Sequence, residues 1–181
     1  MLISSGSGSI QRMRLRTSSR WESIERKLWM SNVFGKLNFK AQNQILVLNA
    51  PKSFEPILAG LKGVTISREL GEIDEIEFSL AFVTTQRDLD RIAKAVTKKA
   101  KGDAIIWFAY PKKTSKKYQC EFNRDSGWDE LGKAGYEGVR MVAIDEDWSA
   151  LRFRNVQYIK SMKRDEKRAM TKEGKARVPK K

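Results

Sequence analysis

Residues 75–112 read EIEFSLAFVTTQRDLDRIAKAVTKKAKGDAIIWFAYPK, and this stretch holds two strand patterns on either side of one helical pattern. Its two ends, 75–85 and 103–112, are mainly apolar runs of the kind that form strands buried on both faces of a sheet. Between them, apolar residues recur at helical spacing from Leu89 to Val96, and a lysine-rich last turn leads to Gly102 as the predicted stop. This order predicts two parallel strands joined by a crossover helix.

The same alternation continues on the N-terminal side of that stretch. NQILVLNA (43–50) and VTISREL (64–70) are predicted strands. The segment between them, FEPILAGLKG (54–63), predicts a helix with Ser53 as N-cap and Gly63 at its end.

On the C-terminal side, WDELGKAGYEG (128–138) predicts a short helix, and YQCEF (118–122) has a short strand pattern. GVRMVAIDEDWSALRFRNV (138–156) predicts two strands joined by a tight turn at 145–147, and these strands pair antiparallel because no crossover helix fits between them. The predicted fold class is therefore α/β: a three-layer Rossmann-like sandwich with helices on both faces, a mostly parallel sheet of about five or six strands and a C-terminal antiparallel hairpin.

The net charge of +14 is concentrated at the two ends of the chain. Residues 1–29 carry +4, residues 30–158 carry +3 and residues 159–181 carry +7. We expect a flexible basic N-terminal extension (1–29), a single α/β domain (30–158) and a basic, disordered C-terminal tail (159–181). Met30 opens an ordinary protein start, so we hypothesise that it is the biological start; the intact mass of the native protein tests this.

Composition excludes several classes of site. Histidine is absent, which excludes His-dependent triads and His-ligated metals, and a single cysteine, Cys120, excludes an internal disulfide and any cysteine-based metal cluster. No run of about 18 apolar residues is present, and the first residues lack the apolar core of a secretory signal. We expect a cytoplasmic protein with no membrane contact, no metal and no cofactor.

Three short motifs are distinctive as a set: LNAPKSF (48–54), IIWFAYPKKTSKK (105–117) and VAIDEDWSALRFR (142–154). They resemble a family of small bacterial proteins that share a domain of unknown function with a Rossmann-like shape, over residues 43–158. The resemblance implies the fold and no activity. The closing hairpin and KGDAIIWFAYP (101–111) also resemble class I methyltransferases, but LNAPKSF lacks the glycine-rich turn that lets backbone amides approach a cofactor.

Polar side chains follow three predicted strands at the edge where open α/β sheets bind ligands. The candidate ligand-binding residues are Asn49, Thr84, Thr85, Tyr110, Lys112, Lys113, Thr114, Ser115, Lys116 and Lys117. The four lysines around Thr114 and Ser115 are suited to holding a phosphate by charge and hydroxyl hydrogen bonds. The same pattern also fits a solvated polar turn.

Four further features each allow a structural explanation. Asp125 and Ser126 precede WDEL and fit helix capping better than catalysis, with Trp128 packed beneath. The acids at 145–147 fit an exposed turn better than a cation site. Arg152 and Arg154 share one face of a strand and fit an edge strand with one polar face. Cys120 fits a buried small side chain better than a reactive thiol.

The sequence favours a binding domain over an enzyme. Our first hypothesis is a Rossmann-like domain that binds an anionic or phosphate-bearing small molecule at the carboxyl edge of the strands. A second is an accessory factor that contacts a protein, or nucleic acid nonspecifically, through its basic tails, with strong salt dependence. A third is a degenerate methyltransferase-like enzyme.

Overall fold

The computed structural model of the chain describes residues 33–40, 42–162 and 169–178. The strands are β1 (Gln44–Leu48), β2 (Thr65–Ser67), β3 (Ile76–Phe82), β4 (Ala100–Pro111), β5 (Tyr136–Ala143) and β6 (Trp148–Asn155). The helices are α1 (Glu55–Leu58), α2 (Gln86–Lys99), α3 (Asp129–Lys133) and α4 (Lys172–Ala176). The predicted flexible extension (1–29) and the hypothesis on Met30 lie outside the described residues.

The six strands form one sheet in the order β2-β1-β3-β4-β6-β5. β2, β1, β3 and β4 are parallel, and β6 pairs antiparallel with both β4 and β5. The predicted α/β class, with a mostly parallel sheet and a C-terminal antiparallel hairpin, is confirmed. The strand order reverses between β1 and β3, which places the crevice between their carboxyl ends at the usual ligand position of an open sheet.

Helices cover both faces of the sheet, each over its own hydrophobic cluster. α2 buries Leu89, Ile92, Ala93 and Val96 on one face. It begins where the Thr85 hydroxyl accepts a hydrogen bond from the Asp88 backbone N–H. On the other face, Val33 and Phe34 from a helical turn at 33–36 pack with Phe54, Ile57 and Leu58.

Several predicted element ends differ in the structure. Ser53 does not cap a helix: a 3-10 turn (Lys52–Phe54) runs into the four-residue α1, and its start has no side-chain cap. Gly102 does not end α2, because the chain enters β4 at Ala100 and Gly102 lies within that strand with a φ of 57°. Residues 118–122 form no strand, because Glu121 crosses the sheet edge and donates its N–H to the Thr84 carbonyl.

β6 is an interior strand, which corrects the prediction that Arg152 and Arg154 mark an edge. β5 pairs with β6 from Tyr136 to Ala143 and takes the edge position instead.

Near the start of β5, Glu137 contacts a segment that comes later in the chain. The carboxylate of Glu137 is completely buried and accepts hydrogen bonds from the N–H groups of Met170 and Thr171 and from the Thr171 hydroxyl. Residues 169–178, which the sequence assigns to the tail, therefore contact the domain where they are described.

Across residues 33–40, 42–162 and 169–178, no helix combines the length and apolar character needed to cross a bilayer.

Candidate functional site

The crevice between the carboxyl ends of β1 and β3 is bridged by Asn49. Asn49 adopts a left-handed backbone conformation with a φ of 54°, and its side-chain amide donates to the Phe82 carbonyl at 3.3 Å. Asparagine is one of the few residues other than glycine that tolerates this conformation. The chain thus makes a sharp turn after β1 without glycine, and the asparagine side chain occupies the crevice mouth.

Two polar turns are tied together beyond the end of β4. We call residues 112–117 the lysine turn and residues 145–147, which join β5 to β6, the acidic turn. The Lys112 N–H donates to the Asp147 carbonyl at 2.8 Å, and its ammonium donates to the Asp145 carbonyl at 2.5 Å. β6 pairs with β4 up to Trp148 and Pro111, and this register brings the two turns side by side.

Ser115 organises the interior of the lysine turn. Its hydroxyl donates to the Asp147 carboxylate at 2.9 Å and accepts from the N–H groups of Lys117 and Tyr118, both at 3.2 Å. The Ser115 N–H also closes the turn on the Lys112 carbonyl at 3.0 Å. One side chain therefore fixes both the turn's shape and its attachment to the acidic turn.

The charges of the two turns are largely matched. Lys117 forms ion pairs with Glu146 and Asp147 at 3.3 and 3.2 Å, and the hydrogen bonds that its ammonium donates to Asp147 and Glu146 raise its pKa. The Ser115 hydrogen bond and then the Lys117 ammonium lower the pKa of the Asp147 carboxyl. Asp145 is satisfied differently, because its carboxylate accepts from the N–H groups of Asp147 and Trp148.

Lys117 is exposed but ion-paired, and three further side chains of the lysine turn are exposed: Lys113, Thr114 and Lys116. None of them makes a side-chain hydrogen bond or an ion pair with any residue in the described ranges. The predicted lysine cluster thus splits into Lys112 and Lys117, which bond to the acidic turn, and Lys113 and Lys116, whose ammonium groups bond to no described residue.

An aromatic chain lies beneath this edge and connects the turn after β1 to the lysine turn. Ring centroids are 5.0 Å apart for Phe54 and Phe82, 5.1 Å for Phe82 and Trp148, and 4.9 Å for Trp148 and Tyr118. Trp148 is 3% exposed, and its buried indole N–H finds no hydrogen-bond partner among the residues that the structure describes. An orphaned buried donor of this kind costs about 1–3 kcal/mol.

The remaining candidate residues lie apart from the lysine turn. Tyr110 points to the opposite face of the sheet, where its hydroxyl donates to the Met141 sulfur at 3.4 Å and burial raises its pKa. Thr85 caps α2, and the adjacent Gln86 N–H is satisfied by the Glu121 carboxylate at 2.8 Å. The N-terminus of α2 is therefore occupied by the chain's own acid.

The other sequence candidates have structural roles. Asp125 and Ser126 do not cap α3, whose N-cap is Trp128 and has no side-chain cap. Trp128 is buried as predicted, with its indole N–H donating to the carbonyls of Asn123 and Arg124. Cys120 is half-buried against the core, and burial raises the pKa of its thiol.

Within the described ranges, no group of three or more acidic or cysteine side chains has the arrangement of a metal site. The three acids of the acidic turn are no exception.

A broad cavity of about 1890 Å³ opens on the α2 face, between α3, β5 and the segment around Met170. Its lining includes no residue of the lysine turn.

Two features escaped the sequence analysis. The left-handed turn at Asn49 left a weak signal, since Asn-Ala-Pro is turn-forming in composition. The second is a cluster of arginines on β5 and β6, because Arg140 and Arg152 come opposite one another only through the hairpin register.

No family model and no curated protein matches this chain. Among solved structures, it is similar to the mitomycin 7-O-methyltransferase MmcR, with 8% identity and a TM-score of 0.49 over 77% of this chain. This chain spans 58% of the length of that protein. It is also similar to a SAM-dependent methyltransferase from Aquifex aeolicus, with 15% identity and a TM-score of 0.47 over 76% of this chain and 97% of that one. The N-methyltransferase NodS from Bradyrhizobium japonicum WM9 gives 12% identity and a TM-score of 0.45, over 74% of this chain and 96% of that one. At these identities the likeness concerns the path of the chain and carries no activity with it.

Proposed function

We propose that this protein binds a small anionic molecule at the carboxyl edge of its sheet and that a phosphate group is the feature recognised. The binding groups are the ammonium groups of Lys113 and Lys116 and the hydroxyl of Thr114. One observation carries the proposal: these three side chains are exposed and bond to no described residue, whereas Lys112, Ser115 and Lys117 of the same turn are engaged.

Rigidity supports this assignment. A turn that is fixed before binding loses less conformational entropy when a ligand arrives. Here Lys112 and Ser115 hold the turn against the acidic turn through both backbone and side-chain hydrogen bonds. The single charge of Lys117 offsets part of the negative charge of Glu146 and Asp147, so these carboxylates repel an arriving anion less.

Thermal unfolding of the full chain with and without ligands tests the proposal. The panel is inorganic phosphate, nucleotides, sugar phosphates and S-adenosylmethionine, each at constant ionic strength. A ligand at one hundred times its Kd stabilises the folded state by about 2.7 kcal/mol. We expect a phosphate-bearing compound to raise the midpoint by several degrees.

Matched variants locate the effect. Replacing Lys113 and Lys116 with alanine removes two exposed lysines, and the shift is expected to disappear or shrink strongly. Replacing Lys62 and Lys98 with alanine removes the same charge from exposed positions elsewhere and is expected to preserve the shift. An equal loss in both double variants would show general charge screening and overturn the assignment.

A second candidate, a methyltransferase-like enzyme that binds S-adenosylmethionine, is favoured by one observation. Asn49 gives the turn after β1 the left-handed conformation that glycine supplies in cofactor-binding turns. Against it, the Asn49 side chain lies across the crevice mouth and bonds to Phe82. Stabilisation by S-adenosylmethionine that rises in Asn49→Gly, which keeps the turn and removes the side chain, would favour this candidate over the first.

A further inference from the structure

The β5–β6 hairpin carries a second cationic cluster, which we call the arginine face: Arg140, Arg152 and Arg154. Arg140 on β5 is the direct cross-strand partner of Arg152 on β6, and Arg154 follows two residues along the same face. Trp148 and Ala150, earlier on that face, belong to the hydrophobic cluster on the α1 side of the sheet. The three guanidinium groups therefore project from one patch of one face.

Arg152 lies in an unfavourable environment. It is half-buried, and its Nε is buried without a hydrogen-bond partner in the described part of the chain. Burial lowers the pKa of its guanidinium, the charges of Arg154 and Arg140 act in the same direction, and the Asp103 carboxylate opposes them. Like charges directly opposite each other in a sheet are destabilising, and so is a buried polar group without a partner.

Among the described residues, the arginine face forms an ion pair with one carboxylate, that of Asp103. Asp103 forms a two-pronged pair with Arg154, with 2.7 Å between Arg154 Nε and Asp103 Oδ1. This hydrogen bonding, with the charges of Arg154, Arg152 and Lys40, lowers the pKa of the Asp103 carboxyl. Arg140 bonds only to the neutral side-chain oxygen of Asn38, at 3.1 Å. Neither Arg140 nor Arg152 therefore forms an ion pair with a described residue, and the carboxylate that acts on Arg152, that of Asp103, is already paired with Arg154.

We propose that Arg140 and Arg152 form a binding site for one oxyanion group, the phosphate or carboxylate of a small molecule. Guanidinium groups are suited to this role because their planar donors match both kinds of oxyanion in pairs. Directly paired residues of neighbouring strands lie about 5 Å apart, so one group fits between the two side chains. Asn38 sets the position of the Arg140 side chain, and Arg154 is held back by Asp103.

This site is separate from the lysine turn. Arg152 pairs with Trp107 on β4, four residues before Pro111, where the strand ends. Four residues of a strand span about 13 Å. The two sites therefore bind independently and can be tested independently.

Isothermal titration calorimetry of the full chain tests the inference, with inorganic phosphate and acetate as probes at constant ionic strength. The titrations use the variant with Lys113 and Lys116 replaced by alanine, so that any signal from the lysine turn is removed. We expect phosphate, acetate or both to bind, and the stronger of the two identifies the source of the oxyanion. In this background Arg152→Met and Arg140→Met are each expected to weaken binding tenfold or more.

Arg91→Met is the matched control, because Arg91 is an exposed arginine on α2, on the opposite face of the sheet. It is expected to leave the Kd unchanged. Arg152→Met also has a signature that a structural arginine would not give: without ligand, its unfolding midpoint is expected to stay equal or rise, since a half-buried unpaired charge is removed.

Three outcomes would overturn the inference. The first is that neither phosphate nor acetate binds. Another is Arg152→Met binding as tightly as Arg91→Met while unfolding several degrees lower, which would make Arg152 a packing residue. The third is binding of a single-stranded oligonucleotide that depends on Arg152 while phosphate and acetate do not bind, which would make the arginine face a nucleic-acid contact.

Discussion

The lysine turn and the arginine face lie on neighbouring parts of the β4–β6–β5 sheet and differ in how their charges are compensated. In the lysine turn, the β5–β6 connection brings Glu146 and Asp147 to Lys117, and the Lys112 ammonium bonds to a backbone carbonyl. On the arginine face, Asp103 pairs with Arg154, while Arg152 keeps a buried donor without a partner.

This difference shows that the number of charged residues in a short segment does not measure how much charge a ligand can reach. Four lysines in six residues look like the stronger anion site, yet half of them hold the turn together. Arg140 lies twelve residues before Arg152 along the chain, and the sheet register brings these two arginines together. A half-buried guanidinium also interacts more strongly with an anion than an exposed ammonium does, because its surroundings screen charge less.

Among single substitutions in the two regions, Ser115→Ala is expected to have the largest effect on stability. It removes the acceptor of two backbone N–H groups and the donor to Asp147, so we expect a loss of about 1–2 kcal/mol in the free energy of unfolding. Urea denaturation measures this loss. The same variant should weaken phosphate binding at the lysine turn and leave the arginine face unaffected.

Thr114→Ala is the control for this change, since Thr114 is the exposed neighbour and its side chain makes no hydrogen bond within the described residues. We expect its stability to match that of the natural sequence within about 0.5 kcal/mol. Equal losses in the two variants would show that Ser115 does not organise the turn.

The sequence predicts the sheet well because its strands are long apolar runs with a clear helical pattern between them. β3, α2 and β4 follow directly from 75–112, and the hairpin follows from the short spacing of its two strands. Which strand lies at the edge of the sheet depends on the order of the strands. Arg152 and Arg154 have the alternation of an edge strand, but β5 pairs outside β6 and half-buries Arg152.

The sequence predicts where the candidate site lies, but it does not predict which residues belong to it. The lysine turn does lie beyond the end of β4, as the strand pattern indicates. Tyr110 precedes it by two residues and points to the other face, because alternate residues of a strand face opposite sides. The partners of Lys112 and Ser115 come from the acidic turn, about 30 residues away in the chain, so local pattern does not reveal them.

Asp103→Asn tests the arginine face, and it is expected to lower the free energy of unfolding by less than Ser115→Ala does. It leaves Arg154 without its carboxylate beside Arg152 and Lys40. The pair is about one-third exposed, so solvent screening limits the expected loss to about 1 kcal/mol, and added salt should reduce it further. Urea denaturation at low and high salt measures both quantities.

Arg154→Met separates two explanations of that loss. If Asp103 stabilises the fold by neutralising the arginine face, the double variant Asp103→Asn with Arg154→Met should recover part of the stability lost by Asp103→Asn alone. Strictly additive losses would show instead that Asp103 and Arg154 act separately, and the arginine face would lose its electrostatic basis.

The smallest expected effect is the pH dependence of the Asp103 contribution. Arg154 lowers the pKa of the Asp103 carboxyl in the folded protein, so the folded state keeps this group ionised at lower pH than the unfolded state does. Its stabilisation is complete above the unfolded value of about 3.9 and is lost as the pH falls through the lower folded value. The difference in stability between the natural sequence and Asp103→Asn should therefore be constant from about pH 7 to pH 5 and shrink below about pH 4. Urea denaturation of both proteins across this range measures the difference. A difference that persists unchanged at low pH would mean that Asp103 acts through packing, and Arg154 would then count among the uncompensated charges of the arginine face.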